Sequence, residues 1–490
     1  MAIIKRNQAV IWSNAQNGKF GGYDTLGIGR YGAEDATLPG AGQDTTYVQD
    51  ENGNPFLAVL ADTPPGGPPS FTMNFFEEYA KNYLRTARER GTKVGVQHRF
   101  HRYGVLSNPI GWTKIFHYGG GIIGDETRSG AAIDYSGEGL RGSMPINFKT
   151  AFEFLRPSLT ALDLPNVVAD ATDVYFIGSI IKDVEAYPGP DKVGFVANQA
   201  ASGVAAKLYC TSDGGSTWSA ADNDPFGSDE HIASVRAFVI NPQTGGRVVV
   251  QNLSATEIAW ADFNWSDPTA LTWTTVSTTG NGKFLGWRYF KELLIATASG
   301  VFLSVDAAES IDSTLSSNTN ITGFAFTPDD PDLEPYAYMF GASNTLLRKL
   351  KGSSVVDTLV GPSGGGAFTA LAVANDGTLW AGNGTSLYRS SDGGTTAAGW
   401  TSVKNFGSGM RVVGIGLVKN DPEFMQVFVD DTTPGDGAAW ISADGVTFEQ
   451  ITNLTNDGYN AAYFSPTDPN LAIVVGDDDT TEPIIHKLSA

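Results

Sequence analysis

A short stretch centred on an aspartate recurs through the later part of the chain, each time after a short apolar run. The clearest copy, TSDGGSTWSA at Thr211–Ala220, follows the run AAKLYC. The others are SSDGGTTAAGW at Ser390–Trp400, the shortened SADGVTF at Ser442–Phe448, and a fainter trace, SVD, at Ser304–Asp306. Such self-similarity predicts an array of similar structural units rather than one irregular core.

A second repeated element lies between these stretches and has the pattern apolar strand, turn, apolar strand, which is typical of hairpins. The repeat units begin near Ile232, Asn281, Ile321, Ala367, Arg411 and Gly458, about 40 to 50 residues apart, which is the period of a β-propeller blade. A longer unit from about Asp173 to Glu230 makes seven. We therefore expect a mostly β chain with a seven-bladed propeller, and keep six or eight blades as alternatives.

A propeller closes its ring when a strand from the beginning of the domain completes the last blade, which leaves no long sheet edge exposed. The last repeat of this chain is short. The segment NVVADATDVYFIGS, residues 166–179, or the segment just before it, is the expected source of the closing strand.

The recurring aspartates are predicted to stabilise turns. An aspartate that accepts hydrogen bonds from backbone N–H groups ahead of it closes a turn, and glycine supplies the positive φ that the turn requires. A catalytic aspartate would not need to recur at the same place in several hairpins. We therefore assign Asp213, Asp392 and Asp444 a structural role, in preference to catalysis or metal binding.

These turns resemble the Asp-box, or BNR, repeat, S/T-x-D-x-G-x-T-W. The first copy matches at all five positions, the second carries an insertion before its tryptophan, and the third is shorter and ends in phenylalanine. The matching residues are Thr211, Asp213, Gly215, Thr217 and Trp218; Ser390, Asp392, Gly394, Thr396 and Trp400; and Ser442, Asp444, Gly445, Thr447 and Phe448.

Charge divides the chain into two parts. Residues 1–160 hold 16 basic and 15 acidic residues, whereas residues 161–490 hold 16 basic and 38 acidic residues, a net charge of about −22. We expect two domains with this boundary. Cys210 is the only cysteine, so no intrachain disulfide can form, and we expect a buried thiol.

The first 160 residues show no repeat and are predicted to form a small β-sandwich or barrel with glycine- and proline-rich arms. One helix is predicted, FFEEYAKNYLRTARER from Phe75 to Arg90, followed by strand-like runs such as GWTKIFHYGG and SMPINFKTAFEFL. The histidines of these runs lack carboxylate or thiolate partners at ligand spacing, so we expect no metal site; they are His98, His101 and His117.

This order of arm, strand, helix and strand pairs resembles the tail tube proteins of tailed phages. The resemblance implies a virion structural protein, made in the host cytoplasm, whose first domain self-assembles into stacked, hexameric rings and contacts other virion proteins. DNA would meet it only as cargo in the tube lumen. No stretch approaches 18 uncharged apolar residues, so no membrane span is expected. The acidic propeller would decorate the outer surface and make weak glycan contacts.

Two alternatives remain for the propeller. Sialidase-like glycoside hydrolases resemble it in carrying Asp-boxes, and they need an arginine cluster, which Arg236, Arg247, Arg288, Arg348, Arg389 and Arg411 would have to supply. A non-catalytic glycan-binding module would use exposed aromatics, with Trp260, Trp265, Trp273 and Trp287 as candidates. We expect no enzyme, no cofactor and no metal, and solvated loops rather than calcium sites at Asp329/Asp330/Asp332, Asp430/Asp431/Asp436 and Asp477/Asp478/Asp479.

Overall fold

In the first 156 residues, the computed structural model describes nine strands, mainly by their backbone. From residue 157 onward it describes most of the chain. After that point, residues 163, 165–169, 180, 182–183, 290–291, 329–332, 419–420, 423, 432–436, 444, 454–456, 469, 479–482 and 490 lie outside the description. A few further strand residues are described by backbone alone, among them 287–289, 457 and 478. The chain divides into two compact units, Met1–Arg156 and Pro157–Ala490.

The first unit contains an antiparallel sheet. Its strands are β1 (Asn7–Ser13), β2 (Val48–Gln49), β3 (Pro55–Phe56), β4 (Ser70–Phe75), β5 (Val94–His101), β6 (Trp112–Ile123), β7 (Thr127–Arg128), β8 (Gly142–Asn147) and β9 (Thr150–Leu155). The order is β1-β5-β6-β8-β4, with β9 also paired to β6 and β7 to β8, while β2 pairs with β3 separately. The predicted helix lies outside the described residues beyond Phe75, as do the three histidine side chains.

Seven four-stranded antiparallel sheets make up the second unit, and we number them as blades 1 to 7. Blade 1 contains Ala171–Phe176, Gly194–Asn198, Leu208–Thr211 and Ser219–Ala220; blade 2 Ile232–Asn241, Gly245–Asn252, Glu257–Asn264 and Thr274–Ser277; blade 3 Gly282–Tyr289, Glu292–Thr297, Gly300–Ser304 and Ser313–Ser316; blade 4 Ile321–Phe326, Tyr336–Gly341, Thr345–Leu350 and Val356–Thr358; blade 5 Phe368–Val373, Leu379–Asn383, Ser386–Ser390 and Trp400–Asn405; blade 6 Met410–Leu417, Met425–Asp431, Ala438–Ser442 and Phe448–Asn453; and blade 7 Asp457–Phe464, Ala472–Asp478, Pro483–Ser489 and Ser158–Leu162. The mostly β, seven-bladed prediction is confirmed.

Burial explains which residues form which strand of a blade. A second strand has a strand on each side and a neighbouring blade over each face, so all of its residues are buried whichever face they point to. All eight residues of Gly245–Asn252, GGRVVVQN, are buried. Outer strands face solvent and are polar, as in Ser313–Ser316, STLS. The repeat seen in the sequence is therefore the periodic alternation of buried and exposed strands.

The ring closes through a strand taken from the start of the unit. The first strands of consecutive blades contact one another around the whole ring, including blade 7 with blade 1. Ser158–Leu162 pairs with Pro483–Ser489, with Leu159 opposite Leu488, and forms the outer strand of blade 7. This is the second of the two expected sources, the segment just before residue 166.

A buried carboxylate network also joins blade 1 to blade 7. Asp191, 6% exposed, lies after the first strand of blade 1. It accepts hydrogen bonds from the hydroxyls of Tyr463 at 2.5 Å, Ser465 at 2.6 Å and Thr467 at 2.7 Å. These partners lie 272 to 276 positions further along the chain, so the network forms only when the ring has closed.

Candidate functional site

The Asp213 turn links the third and fourth strands of blade 1. Its carboxylate accepts hydrogen bonds from the Thr211 hydroxyl at 2.8 Å, from the backbone N–H groups of Ser216 and Thr217 at 2.9 Å each, and from the Thr217 hydroxyl at 2.7 Å. Gly215 follows with φ +81°, and its N–H donates to the Thr211 hydroxyl. The turn therefore satisfies its own backbone donors through one carboxylate and one hydroxyl.

The same geometry occurs in blade 5. Asp392 accepts from the Ser390 hydroxyl at 2.8 Å and from the N–H and hydroxyl of Thr396 at 3.0 and 2.7 Å. Gly394 has φ +74° and its N–H donates to the Ser390 hydroxyl at 2.8 Å. The insertion before Trp400 forms a short 3-10 turn, Ala397–Gly399.

Two more blades carry a version of this turn. In blade 3, Asp306 accepts from the Ser304 hydroxyl at 2.9 Å and from the N–H of Ser310 at 3.0 Å, so the faint SVD trace is a full turn of this kind. In blade 6, the Gly445 N–H donates to the Ser442 hydroxyl at 2.9 Å. Asp444 itself lies outside the described residues, whereas Thr447 and Phe448, which are predicted to belong to the same turn, are half-buried.

The tryptophans that follow two of these turns pack inside the propeller. Trp218 is 6% exposed, and its ring lies edge-on to that of Phe176, with 5.8 Å between the ring centres. Its indole N–H donates a hydrogen bond to the Gly215 carbonyl at 3.1 Å. Trp400 is also buried and donates to the Val360 carbonyl at 2.7 Å. Each tryptophan therefore anchors its turn to the core.

Hydrogen bonding fixes the protonation state of these aspartates. Partial burial favours the neutral acid, but the donated hydrogen bonds outweigh it and hold the pKa of Asp213 and Asp306 below the ordinary value. The same balance lowers the pKa of Asp392 to about 2. A carboxylate that stays ionised and has its oxygens occupied is a turn element with little capacity for proton transfer.

Carboxylates of a different character lie where blades 6, 7 and 1 meet. Asp430, 4% exposed, accepts from the Tyr459 N–H at 3.0 Å and pairs with Arg411 at 2.8 Å. Burial raises the pKa of Asp430 in spite of Arg411. Burial, together with the charges of Asp170 and Asp430, also raises the pKa of Asp477. Burial therefore opposes the ionisation of both carboxylates, and at Asp477 the neighbouring negative charges add to this effect.

The two kinds of aspartate are expected to respond oppositely to substitution. Asp392 has a pKa of about 2 in the fold against an ordinary 3.8, so its charge stabilises the fold above that ordinary value, and this contribution is lost as the pH falls toward 2. Asp477 has a raised pKa, so its contribution is present at low pH and is lost as the pH rises through that pKa. At pH 7 we expect Asp392→Asn to lower Tm by about 3 °C and Asp477→Asn to raise it by about 2 °C.

Thermal unfolding followed by circular dichroism at pH 7 and pH 3 checks this prediction. Both differences from the wild type should shrink at the lower pH, because Asp477 is then protonated in both states, and because protonation of Asp392 in the unfolded chain removes part of the stabilisation by its charge. Two Tm changes of the same sign at pH 7 would contradict the assignment.

The turn aspartates do not come together. Their turns join the third and fourth strands of separate blades, away from the first strands that surround the propeller axis. They therefore cannot form a shared site. The propeller's arginines with described side chains are spread as well: Arg236 and Arg411 lie on the first strands of blades 2 and 6, and Arg247, Arg348 and Arg389 lie on second or third strands. The side chain of Arg288 lies outside the description.

Most of these arginines bind neighbouring side chains. Arg247 is buried, pairs with Asp262 at 2.6 Å and Glu309 at 3.0 Å, and lies 3.8 Å from the ring centre of Trp260. Its contacts join blade 2 to blade 3. Arg348 pairs with Asp357 at 3.2 Å, within blade 4.

The candidate glycan-stacking tryptophans are largely used for packing. Trp265 is buried and donates to the Pro242 carbonyl, while Trp273 is half-buried and donates to the Asn223 carbonyl, each at 2.9 Å. Trp260 lies under Arg247. The side chain of Trp287 lies outside the described residues, as do Asp329, Asp330, Asp332, Asp436 and Asp479.

The site with the most unusual chemistry lies on the first strands of blades 1 to 3. Asp173, 3% exposed, accepts from the Ser234 hydroxyl at 2.7 Å, the Val235 N–H at 2.9 Å and Arg236 Nη1 at 2.7 Å. The Arg236 guanidinium lies 5.1 Å from the ring centre of Tyr175 and 4.7 Å from that of Phe284. We call these four residues, Asp173, Tyr175, Arg236 and Phe284, the axial cluster.

Sequence reasoning considered Arg236 only as a member of a catalytic arginine set and did not single out Asp173. A usable signal was present, since both are charged residues inside otherwise apolar strands, DVYFIG and VRAFVI. A charge in such a position needs a buried partner. Nothing in the sequence pairs these two among the other charges, because they are 63 positions apart.

Three comparisons with known proteins bear on the chain. No protein-family profile matches it, and no curated protein matches it. Among solved structures it is similar to YCF48 bound to a D1 peptide, with 14% identity and a TM-score of 0.48 over 68% of this chain and 97% of that one. It is also similar to a chain of the mitotic checkpoint complex, with 15% identity and a TM-score of 0.45 over 67% and 95%. At these identities the likeness concerns the fold alone.

Within the described residues, no helix is long and apolar enough to cross a membrane. No group of three or more histidine, cysteine, aspartate or glutamate side chains in the described part is arranged to hold a metal ion. Cys210 is buried, and burial raises the pKa of its thiol.

Proposed function

We propose that this protein is a virion structural protein of the phage tail tube kind, in which the first domain assembles into stacked rings and the propeller decorates the assembly. The observation that carries the proposal is the connection between the two units. Strand β9 ends at Leu155, and the closing strand of blade 7 begins at Ser158. Only Arg156 and Pro157 separate them, so the segment that closes the ring follows directly from the proposed assembly domain.

The charge distribution supports this role. Residues 161–490 have a net charge of about −22 and so account for the whole negative charge of the chain, −21, whereas residues 1–160 are nearly neutral, about +1. Like charge on a displayed module keeps a crowded surface soluble and resists sideways association. A near-neutral module can self-associate without that repulsion.

We also infer that the turns belong to the Asp-box class and that the propeller has no catalytic role. The hydrogen bonds of Asp213 and Asp392 support both inferences, because these carboxylates are occupied within their own turns. A fluorogenic sialoside is the matching test for the hydrolase alternative. We expect no turnover by the wild type, and turnover that Arg236→Lys abolishes would overturn the inference.

Assembly gives the direct test of the proposed function. Size exclusion and negative-stain microscopy of the full chain should reveal rings or tubes, whereas a fragment of residues 157–490 should be a monomer. The reason is that the assembly contacts are assigned to the first domain. Compact monomers of the full chain, at concentrations of about 1 mg/ml and above, would contradict the proposal.

A further inference from the structure

The Arg236 guanidinium has one edge, formed by Nε and Nη2, that the described residues leave without a hydrogen-bond acceptor. Its Nη1 donates to Asp173 at 2.7 Å and also to the Val235 carbonyl. Within the described residues, no group accepts a hydrogen bond from its Nε or Nη2, and neither atom is among the buried polar atoms that lack a partner. The side chain is 12% exposed, so these two N–H groups reach solvent.

The unused edge is rigidly held. The guanidinium lies between the rings of Tyr175 in blade 1 and Phe284 in blade 3, at 5.1 and 4.7 Å. Asp173, which fixes Nη1, is itself held by the Ser234 hydroxyl and the Val235 N–H. An arginine fixed in this way loses little rotamer entropy when its remaining donors bind a ligand.

Flat apolar walls continue beside this edge. Phe324, on the first strand of blade 4, lies 6.2 Å from Phe284 between ring centres. Tyr175, Phe284 and Phe324 are all half-buried, so part of each side chain remains open to solvent. Such surfaces accept a flat apolar group by offset or edge-on stacking.

We propose that the axial cluster is a binding site for a carboxylate carried next to a flat apolar group. The Nε–H and Nη2–H groups of arginine are parallel donors whose spacing fits the two oxygens of a carboxylate. Asp173 already compensates the positive charge, so recognition depends on this fork and the aromatic walls rather than on net attraction. The site is independent of the proposed assembly role, and its ligand is either the chain end of a peptide with a terminal aromatic residue or a free aromatic acid.

Calorimetric titration of the full-length protein tests the proposal with N-acetyl-phenylalanine and its primary amide as probes. The acid should bind saturably and at least about tenfold more tightly than the amide, because the amide offers one acceptor to a two-donor fork. This comparison uses the wild-type protein, so it does not depend on the folding of a variant. Equal binding of acid and amide, or no saturation by the acid at about 20 mM, would overturn the proposal.

Two arginine variants locate the site. Arg236→Lys should weaken binding of the acid at least about tenfold, since an ammonium group cannot supply the fork. Arg348→Lys is the matched control, because Arg348 also lies over a tyrosine, Tyr336 at 4.7 Å, and pairs with an aspartate. It should bind the acid like the wild type. Retained affinity in Arg236→Lys would overturn the assignment.

A peptide with a free carboxyl-terminal phenylalanine distinguishes the two ligand sources. Tighter binding than N-acetyl-phenylalanine identifies a peptide chain end, whereas equal or weaker binding identifies a small aromatic acid. Both results support the carboxylate site, provided that the corresponding peptide amide binds at least about tenfold more weakly; a peptide amide that binds as well as the acid contradicts it.

Discussion

Removing the closing strand is expected to destabilise the propeller more than any single substitution. A fragment of residues 170–490 lacks Ser158–Leu162, which pairs with the strand that carries Ile485 and Leu488. These two side chains are 1% and 0% exposed in the closed ring and become exposed to solvent in the fragment. Exposing each side chain costs about 2 kcal/mol, and Pro483–Ser489 also loses a row of backbone hydrogen bonds. We expect a loss of about 5 kcal/mol or more, a fall in Tm of at least about 10 °C, and association through the uncovered edge.

The fragment of residues 157–490 is the control, since it keeps the closing strand. Thermal unfolding and size exclusion of the two fragments measure the effect. A peptide of residues 155–164 added to the shorter fragment should restore part of the Tm in a concentration-dependent way, because it binds the folded state. If both fragments are monomers with the same Tm, the strand does not close the ring.

Loss of the Asp191 carboxylate is expected to be the most damaging side-chain change in the propeller. Asp191→Ala leaves the hydroxyls of Tyr463, Ser465 and Thr467 without their shared acceptor in a buried site. An unsatisfied buried donor costs about 1 to 3 kcal/mol, so we expect a loss of about 4 kcal/mol and a fall in Tm of about 8 °C. Hydrogen exchange should increase first in blades 1 and 7, where the ring opens.

Asp229→Ala is the matched control for this substitution. Asp229 has φ +63°, against +62° for Asp191, so both changes place alanine in the same left-handed backbone conformation. Asp229 is exposed, and its carboxylate accepts a hydrogen bond at the surface of the fold from the Gly203 N–H at 2.6 Å. The difference between the two Tm values isolates the buried network, and equal Tm changes would show that backbone strain alone is responsible.

Short-range sequence patterns were sufficient to predict where the blades begin. The predicted unit starts at Ile232, Asn281, Ile321, Ala367, Arg411 and Gly458 lie within one residue of the first strands that the structure shows. Proline and glycine mark the turns, and each apolar run fills a strand that is buried on both faces. The turn at Asp306 shows the limit of the motif, because two alanines, Ala307 and Ala308, adopt the positive φ values there that glycine adopts at Asp213.

Contacts between blades could not be predicted in the same way. The pairing of Asp173 with Arg236 depends on two first strands lying side by side. The raised pKa of Asp477 depends on its burial and on the charges of Asp170 and Asp430, which lie far apart in the chain. Composition alone gives the number of charges and says nothing about which of them meet.

The amino-acid sequence by itself determined the repeat, its period, and the turn role of the recurring aspartates, because hydrophobic periodicity and turn hydrogen bonds act over fewer than ten neighbouring residues. The tertiary structure alone decided which strand closes the ring, that Asp191 joins blades 1 and 7, and that the Arg236 guanidinium lies between two aromatic rings. These features join residues tens to hundreds of positions apart, and a ring brings such residues together only once it has closed.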